Sequence, residues 1–301
     1  MSNTRDIRRR IKSVRSTSQI TKAMQMVAAS KMRKAQQAAI TGRPYAEHLN
    51  QALAQAANNC AGGSAHPLME VRPVKRRAVV LVSTDKGLCG GLNGNLFREA
   101  LQYDSVTTVF VTAGNRAAQF VARSKRPLAA EFRYQDTPTM AEARAISKHV
   151  QNMFLSGEVD AVDVLFTNFI STLTQKPKVW PLLPVGELRG VTQDLRGGMR
   201  DEPLPDRMSL HLSGGASEFV FEPSAEKVLG ALLMHSLNYQ IYEILLEAQA
   251  SEHSARMVAM KNATENAQKL IKDLTLVYNK ERQAAITKEL SEITSAAMAQ
   301  G

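Results

Sequence analysis

The sequence predicts an α/β chain in which two long terminal helices pair as an antiparallel coiled coil, with a small open, mostly parallel α/β domain inserted between them. Three observations carry this expectation. Neither Gly nor Pro occurs between Met1 and Thr41. From Ser224 to Gln300 the sole glycine is Gly230, and there is no proline. Between these ends, short β-branched runs alternate with helical ones. Composition agrees: aromatics are only 5% of the 301 residues, while Ala, Met, Lys, Gln and Glu are plentiful, a balance that favours long helices over a β-sandwich.

The opening helix starts with Ser2 or Asn3 as a cap, and Asp6 suits the positive end of its dipole. Apolar residues recur with spacings of four and three: Ile7, Ile11, Val14; then Ile20, Met24, Val27; then Ala28, Met32, Ala35, Ala39. The phase slips by about one residue between sets, which predicts a broad or supercoiled stripe. At ~1.5 Å per residue the helix runs about 60 Å before Gly42 and Pro44 interrupt it, then resumes toward Cys60 and ends at Gly62-Gly63. The closing helix begins at Pro223-Ser224 and would extend about 115 Å if continuous. Leu233, Leu237, Ile241, Ile244 and Ala248 form its first stripe; Leu270, Leu274, Val277 and Ile286, Leu290, Ile293 continue it. Propensity alone stabilises such helices little, so the stripes need partners, and the natural first partner of each is the other. Small and polar residues lie in or near the seam: Ser18, Thr21, Gln25, Ser251 and Asn262. Met26 and Met32 read as ordinary seam fillers.

In the middle, Ala78–Thr84 and Val106–Thr112 are buried-strand runs, each followed by a helical segment. A weaker strand near Leu128–Phe132 precedes Thr137-Pro138, a cap and first-position proline that open a helix to about Ser156. Ala161–Phe169 is another strand, and the segment KVWPLLPV returns beside it. Strands alternating with helices predict a Rossmann-like sheet. Gly186 to Gly215 is a long polar loop, and EFVFEP a last extended piece. The boundaries expected are therefore 1–61, 76–185, 186–222 and 223–301.

Charge and chemistry narrow the function. Residues 1–43 carry eleven Lys or Arg against the single acid Asp6, and the rest of the chain holds 27 bases and 27 acids, so the net charge of +10 resides in the first helix. Such a segment seeks an acidic partner: nucleic acid, anionic lipid or a carboxylate-lined protein surface. The Arg-rich start has the charge of a mitochondrial transit peptide, but its helical pattern continues past the usual cleavage region. Cys60 and Cys89 make no disulfide framework, which points to a reducing compartment. The six His have no metal-ligand spacing, and no apolar run approaches ~18–20 residues. The loop TDKGLCGGLNGN sits between strand and helix, where phosphate loops live. Its glycines (Gly87, Gly90, Gly91, Gly94) fit neither G-x-G-x-x-G nor a Walker loop; they read as a tight turn permitting positive φ. Cys89, near Lys86, has no His or Asp partner nearby in sequence and reads poorly as a nucleophile.

Three long segments carry a resemblance. DIRRRIKSVRSTSQITKAMQMVAASKMRKAQ, STDKGLCGGLNGNL and ARMVAMKNATENAQKLIKDLTLVYNKERQAAITKELSEIT, in that order, resemble the N-terminal helix, central loop and C-terminal helix of the gamma subunit of F-type ATP synthase. Ala296 stands where the family pattern usually has Gly, the stretch 186–215 matches nothing in detail, and no inserted regulatory dithiol is visible. The resemblance implies a non-catalytic, cofactor-free rotor. Its coiled coil would fill a ring of alpha and beta subunits, and its lower part would bind the epsilon subunit and the c-subunit ring. Nucleic acid would not be a partner, and membrane contact would come through the complex alone. It implies a peripheral membrane location on the cytoplasmic face of a bacterial plasma membrane.

Carried over residue by residue, the resemblance makes Met24, Lys86, Cys89, Arg256, Gln283 and Thr287 contacts with the catalytic ring, and sets Ile293, Ala297 and Met298 in an apolar sleeve. Without it, Arg256 reads as a solvated i, i+4 partner of Glu252, and Gln283 as merely exposed. Two rivals stand beside the rotor: a basic coiled-coil protein binding nucleic acid through Arg5–Arg15, and a nucleotide-using enzyme built on the α/β domain.

Overall fold

The computed structural model describes residues 4–59, 66–185, 222 and 224–300. The 186–215 loop, EFVFEP apart from Glu222, the Ser2/Asn3 cap and Cys60 lie outside them. The elements are α1 (Thr4–Asn59), a 3-10 turn at Pro67–Met69, β1 (Arg77–Val82), α2 (Leu92–Ala100), β2 (Thr108–Ala113), α3 (Asn115–Arg123), β3 (Leu128–Phe132), α4 (Met140–Leu155), β4 (Ala161–Phe169), β5 (Gln175–Leu183) and α5 (Ala225–Gln300). The chain divides into two compact units, one made of residues 1–29 and 256–301, the other of 30–255.

In the larger unit the sheet order is β3-β2-β1-β4-β5, parallel except for the β4–β5 pair. Side chains alternate across it as the pleat requires. Ala78, Val80, Val82, Val162, Val164 and Phe166 face a core shared with α4 and α5, while Val79, Leu81 and Leu165 face α2 and α3. Asp163 is the charged exception on β4: buried, it is ion-paired with Arg77 on the neighbouring strand. Burial and then this carboxylate push the Tyr103 hydroxyl pKa up to about 12. β5 is an edge strand, and Pro177, Pro181, Lys176 and Lys178 keep it from pairing further. α4 starts at Met140 instead of following Thr137-Pro138. The cap is Thr139, whose hydroxyl accepts from the Glu142 N–H while Glu142 accepts from the Thr139 N–H at 2.7 Å. This reciprocal capping box outcompetes the upstream proline signal.

In the same unit α1 and α5 run antiparallel. Lys34, Ala35 and Ala38 border Leu246 and Gln249, Tyr45 meets His235 and Tyr239, and Ala46, Leu49, Leu53 and Ala56 pack with Leu229 and Leu233. The expected break at Gly42 and Pro44 does not occur; α1 continues through both. An internal proline costs roughly 3 kcal/mol, but the carbonyl deprived of its donor belongs to exposed Ile40, where water can serve it. Burying Leu49 and Leu53 beyond the proline contributes about 1.5–3 kcal/mol each. The Tyr239 hydroxyl donates to the Gly42 carbonyl at 2.7 Å, and a Cβ on Gly42 would collide with that hydroxyl. Glycine is required there for close approach. Burial and the nearby Glu243 raise the Tyr239 pKa, so it remains a donor.

The phase slip expected in α1 is also absent. One row of buried or half-buried positions, Ile7, Ile11, Val14, Ser18, Thr21, Gln25, Ala28, Met32, Ala35, Ala39, Gly42, Ala46, Leu49, Leu53 and Ala56, alternates by four and three without a break. Met24, Ala29, Lys31, Gln36 and Ala38 beside it are half-buried too, so the stripe is broad as expected. Ile20, Met26 and Val27 point outward. Ser18, Thr21 and Gln25 fill seam positions as expected, and the misassigned members of the stripe are Ile20, Met26 and Val27. The stripe Leu233, Leu237, Ile241, Ile244, Ala248 is buried as expected, but its partner is largely the sheet domain: Leu237, Ile241, Ile244 and Ala248 belong to the core below β1 and β4. From Ile244 to Ser254 every residue of α5 is buried.

In the smaller unit, the Thr21 and Thr264 hydroxyls hydrogen-bond at 2.7 Å. Here the α5 seam is Met260, Thr264, Ala267, Ile271, Leu274 and Tyr278, whereas Leu270 and Val277, expected inside, are exposed. Antiparallel pairing about Thr21–Thr264 brings Thr4 level with Glu281. Beyond it α5 has no partner from α1, and residues 281–295 are all exposed.

Candidate functional site

In an open α/β sheet, ligands bind outside the carboxyl ends of the strands where the winding reverses. In this order that point lies between β1 and β4, flanked by residues 83–91 and 170–174. The chain occupies it with its own groups. The Glu247 carboxylate of α5 accepts the Phe169 N–H at 3.1 Å, and the Ser254 hydroxyl donates to the Thr172 carbonyl at 2.9 Å. The Tyr134 hydroxyl, buried, donates to the Ser83 carbonyl at 2.8 Å; burial, then the charges of Glu252, Asp85 and Glu142, hold its pKa well up.

The glycine loop is engaged with itself. Thr84 donates to the Lys86 carbonyl at 2.8 Å, and Asn93 donates to Thr84 at 2.7 Å and to the Cys89 sulfur at 3.5 Å. Of its glycines Gly90 alone has positive φ, 61°; Leu88 takes the other left-handed position at 65°. The α3 N-terminus, where a phosphate could also lie, is filled by Asp85, which accepts the Asn115 N–H at 2.8 Å, and Ser83, which accepts the Ala117 N–H at 2.7 Å. Gly114 precedes this helix at φ 101°, and a Cβ there would collide with the Ser83 carbonyl. Among the described residues no group of His, Cys, Asp or Glu is arranged to hold a metal, and no helix is long and apolar enough to cross a membrane.

Among the described residues, the expected contacts lie on the two long helices and the loop tip. Arg5, Arg8, Arg9, Arg10, Lys12 and Arg15 are all exposed and surround the helix; they do not form one stripe. Met24 is half-buried on the same helix, and Gln283 and Thr287 are exposed one turn apart, the Thr287 hydroxyl donating back to the Gln283 carbonyl at 3.0 Å. Arg256, expected to be solvated if it merely paired with Glu252, is 9% exposed. Ile293 is 60% exposed; the side chains of Ala297 and Met298 lie outside the described residues. Lys86 is exposed, but the Cys89 side chain is buried, so the loop presents Leu88, 62% exposed, in its place. Sequence reading missed Leu88 because nothing in its neighbours signals a left-handed leucine. Lys31, paired with Asp136 and holding that carboxyl below its usual range, was also unmarked.

Comparison with known proteins gives these surfaces a context. The family model described as ATP synthase matches residues 3–299. The ATP synthase gamma chain of Opitutus terrae is 46% identical over 299 residues, 99% of each chain, and that of Methylacidiphilum infernorum 43% identical over 306 residues, covering both chains fully. Among solved structures, the rotor of Euglena gracilis mitochondrial ATP synthase matches 94% of this chain and 98% of its own at a TM-score of 0.65 and 17% identity. A chain of the central stalk and c-ring structure of Tetrahymena thermophila mitochondrial ATP synthase matches 81% of this chain and 99% of its own at a TM-score of 0.58 and 24% identity. These two show the fold. With paired end helices, an inserted sheet whose ligand crevice is closed, and likeness from end to end, the chain belongs to the ATP synthase gamma-chain family.

Proposed function

We propose that the chain is the non-catalytic central-stalk rotor of a proton-translocating F-type ATP synthase, coupling proton flow to ATP synthesis by turning inside its partners. The end-to-end likeness to gamma chains carries this reading. The partners are the alpha and beta subunits around the helices, with the epsilon subunit and the c-subunit ring at the sheet domain. The complex is membrane-associated, and in a bacterium it lies on the cytoplasmic face of the plasma membrane.

The physics suits the role. An asymmetric helix pair makes different contacts with chemically identical neighbours, and differential contacts hold equivalent sites in different conformations. Exposed bases on α1 face carboxylates of the ring. Each exposed ion pair contributes about 0–1 kcal/mol, weak enough to be made and broken every turn. Met24, Arg256, Gln283 and Thr287 contact the catalytic ring on the helices, and Lys86 with Leu88 does so at the loop tip. Ile293, with Ala297 and Met298, extends the bare end of α5 into an apolar sleeve, which its exposed apolar stripe of Ile286, Leu290 and Ile293 requires. Binding of nucleic acid has no support in the family, and a nucleotide enzyme has none in the closed crevice.

Co-expression with alpha and beta subunits tests the reading. A stable ATP-hydrolysing complex containing this chain is expected. A chain that stays apart from alpha and beta, or an alpha–beta complex indifferent to it, refutes the rotor role.

A further inference from the structure

The inference drawn here rests on the rotor reading. Torque must pass between the sheet domain and the long helix it holds. The hydrophobic driving force is non-directional, and interdigitated packing sets the helix only to within the play its side chains allow. Hydrogen bonds have direction. In the larger unit, two of the buried polar side chains of α5, Glu247 and Ser254, stand seven residues apart, two helical turns, and so on one face. Glu247 accepts the N–H of Phe169, the last residue of β4, and Ser254 donates to the carbonyl of Thr172 in the turn that follows. Gln175, the first residue of β5, donates to the Ser254 hydroxyl at 3.4 Å and to the Thr172 carbonyl at 3.0 Å.

Both side chains are buried, Glu247 at 8% and Ser254 at 0% exposure. The Glu247 bond is therefore shielded from water, where a directional bond counts for more. By contrast, Lys31–Asp136, which ties α1 to the segment before α4, is substantially exposed on both sides and contributes little. Strand β4 adjoins β1 in the middle of the sheet, so a bond to its end reaches the stiffest part of the domain. We propose that Glu247 and Ser254 are positioning residues that key the C-terminal helix to the β4–β5 turn, fixing its rotational setting so that the sheet domain and the helix turn as one.

The test uses the whole ATP synthase in membrane vesicles, with ATP hydrolysis and ATP-driven proton pumping measured on the same preparation. Glu247→Gln keeps an acceptor for the Phe169 N–H and should retain the pumping-to-hydrolysis ratio. Glu247→Leu, of similar size, should hydrolyse ATP but lose about three-fold or more of the ratio, because the directional bond is gone. Ser254→Ala removes a single oxygen, assembles regardless of how Glu247→Leu behaves, and should lower the ratio about two-fold. A wild-type ratio in Glu247→Leu or in Ser254→Ala overturns the keying role, as does a Gln variant as uncoupled as the Leu one. A wild-type chain that fails to assemble with alpha and beta overturns the rotor reading beneath it, a result distinct from coupled variants in an assembled complex.

Discussion

Replacing Gly42 by Ala should destabilise a helix that Ala ordinarily favours. In an exposed helix interior the exchange gains about 0.5–1 kcal/mol. Here the added Cβ collides with the Tyr239 hydroxyl, so the ring must withdraw. That removes the 2.7 Å bond to the Gly42 carbonyl, worth about 0.5–1.5 kcal/mol. It also disturbs the ring contacts with Tyr45 at 5.0 Å and Tyr242 at 6.2 Å, an overpacking cost of about 1–3 kcal/mol. The net expectation is a loss of about 0.5–4 kcal/mol. Tyr239→Phe supplies the control, since the ring carbon that carried the oxygen lies 3.6 Å from the new Cβ, an ordinary contact. In that background Gly42→Ala should stabilise by about 0.5–1 kcal/mol. Urea unfolding of the four proteins, followed by circular dichroism, gives a coupling energy above about 1 kcal/mol. Gly42→Ala that stabilises equally in both backgrounds refutes the reasoning.

Arg77→Ala leaves the buried Asp163 carboxylate without its cation and should cost at least about 2 kcal/mol in urea unfolding; a change below about 0.5 kcal/mol would mean the pair is idle. Thr264→Val alone removes the cross-helix bond but leaves the Thr21 hydroxyl donating to the Ser18 carbonyl at 3.1 Å, so it should destabilise by about 0.5–1 kcal/mol. Thr21→Val with Thr264→Val should be neutral or stabilising; thermal melts decide, and a double variant worse than the single contradicts it. Burial lowers the His66 pKa, and its Nδ1 accepts the Leu68 N–H at 3.2 Å. The stability it contributes is present above its unfolded pKa of about 6.5 and is lost as pH falls through the lower folded value. His66→Asn, which still caps, should flatten that part of the stability–pH curve, and an unchanged slope counts against the cap.

The two long helices and the four strands of the parallel sheet were legible because breakers and periodicity are local signals. The continuity of α1 through Pro44 was not, since it depends on Leu49, Leu53 and a tyrosine almost two hundred residues away. The seam was legible in part: Ser18, Thr21 and Gln25 face the partner as their small size or flexibility allows, while Ile20 and Val27 are apolar yet exposed, which type alone does not signal. α4 shows a local conflict, with Thr137-Pro138 a good start signal and Thr139 with Glu142 a better one. The proposed interaction surfaces rest on family likeness alone, because Gln283 and Thr287 are unremarkable on an exposed helix. Glu247 and Ser254 had no signature at all; a carboxylate meeting a strand's last N–H exists only once the chain is folded.

The central claim is that this chain turns inside a ring of other subunits. The most direct measurement fixes the alpha–beta ring to a surface, attaches a bead to the sheet domain of this chain, and adds ATP. Rotation of the bead in one direction, stopped by covalent cross-linking of the chain to the ring together with hydrolysis, is the predicted result. Sustained ATP hydrolysis while the bead stands still would contradict the account.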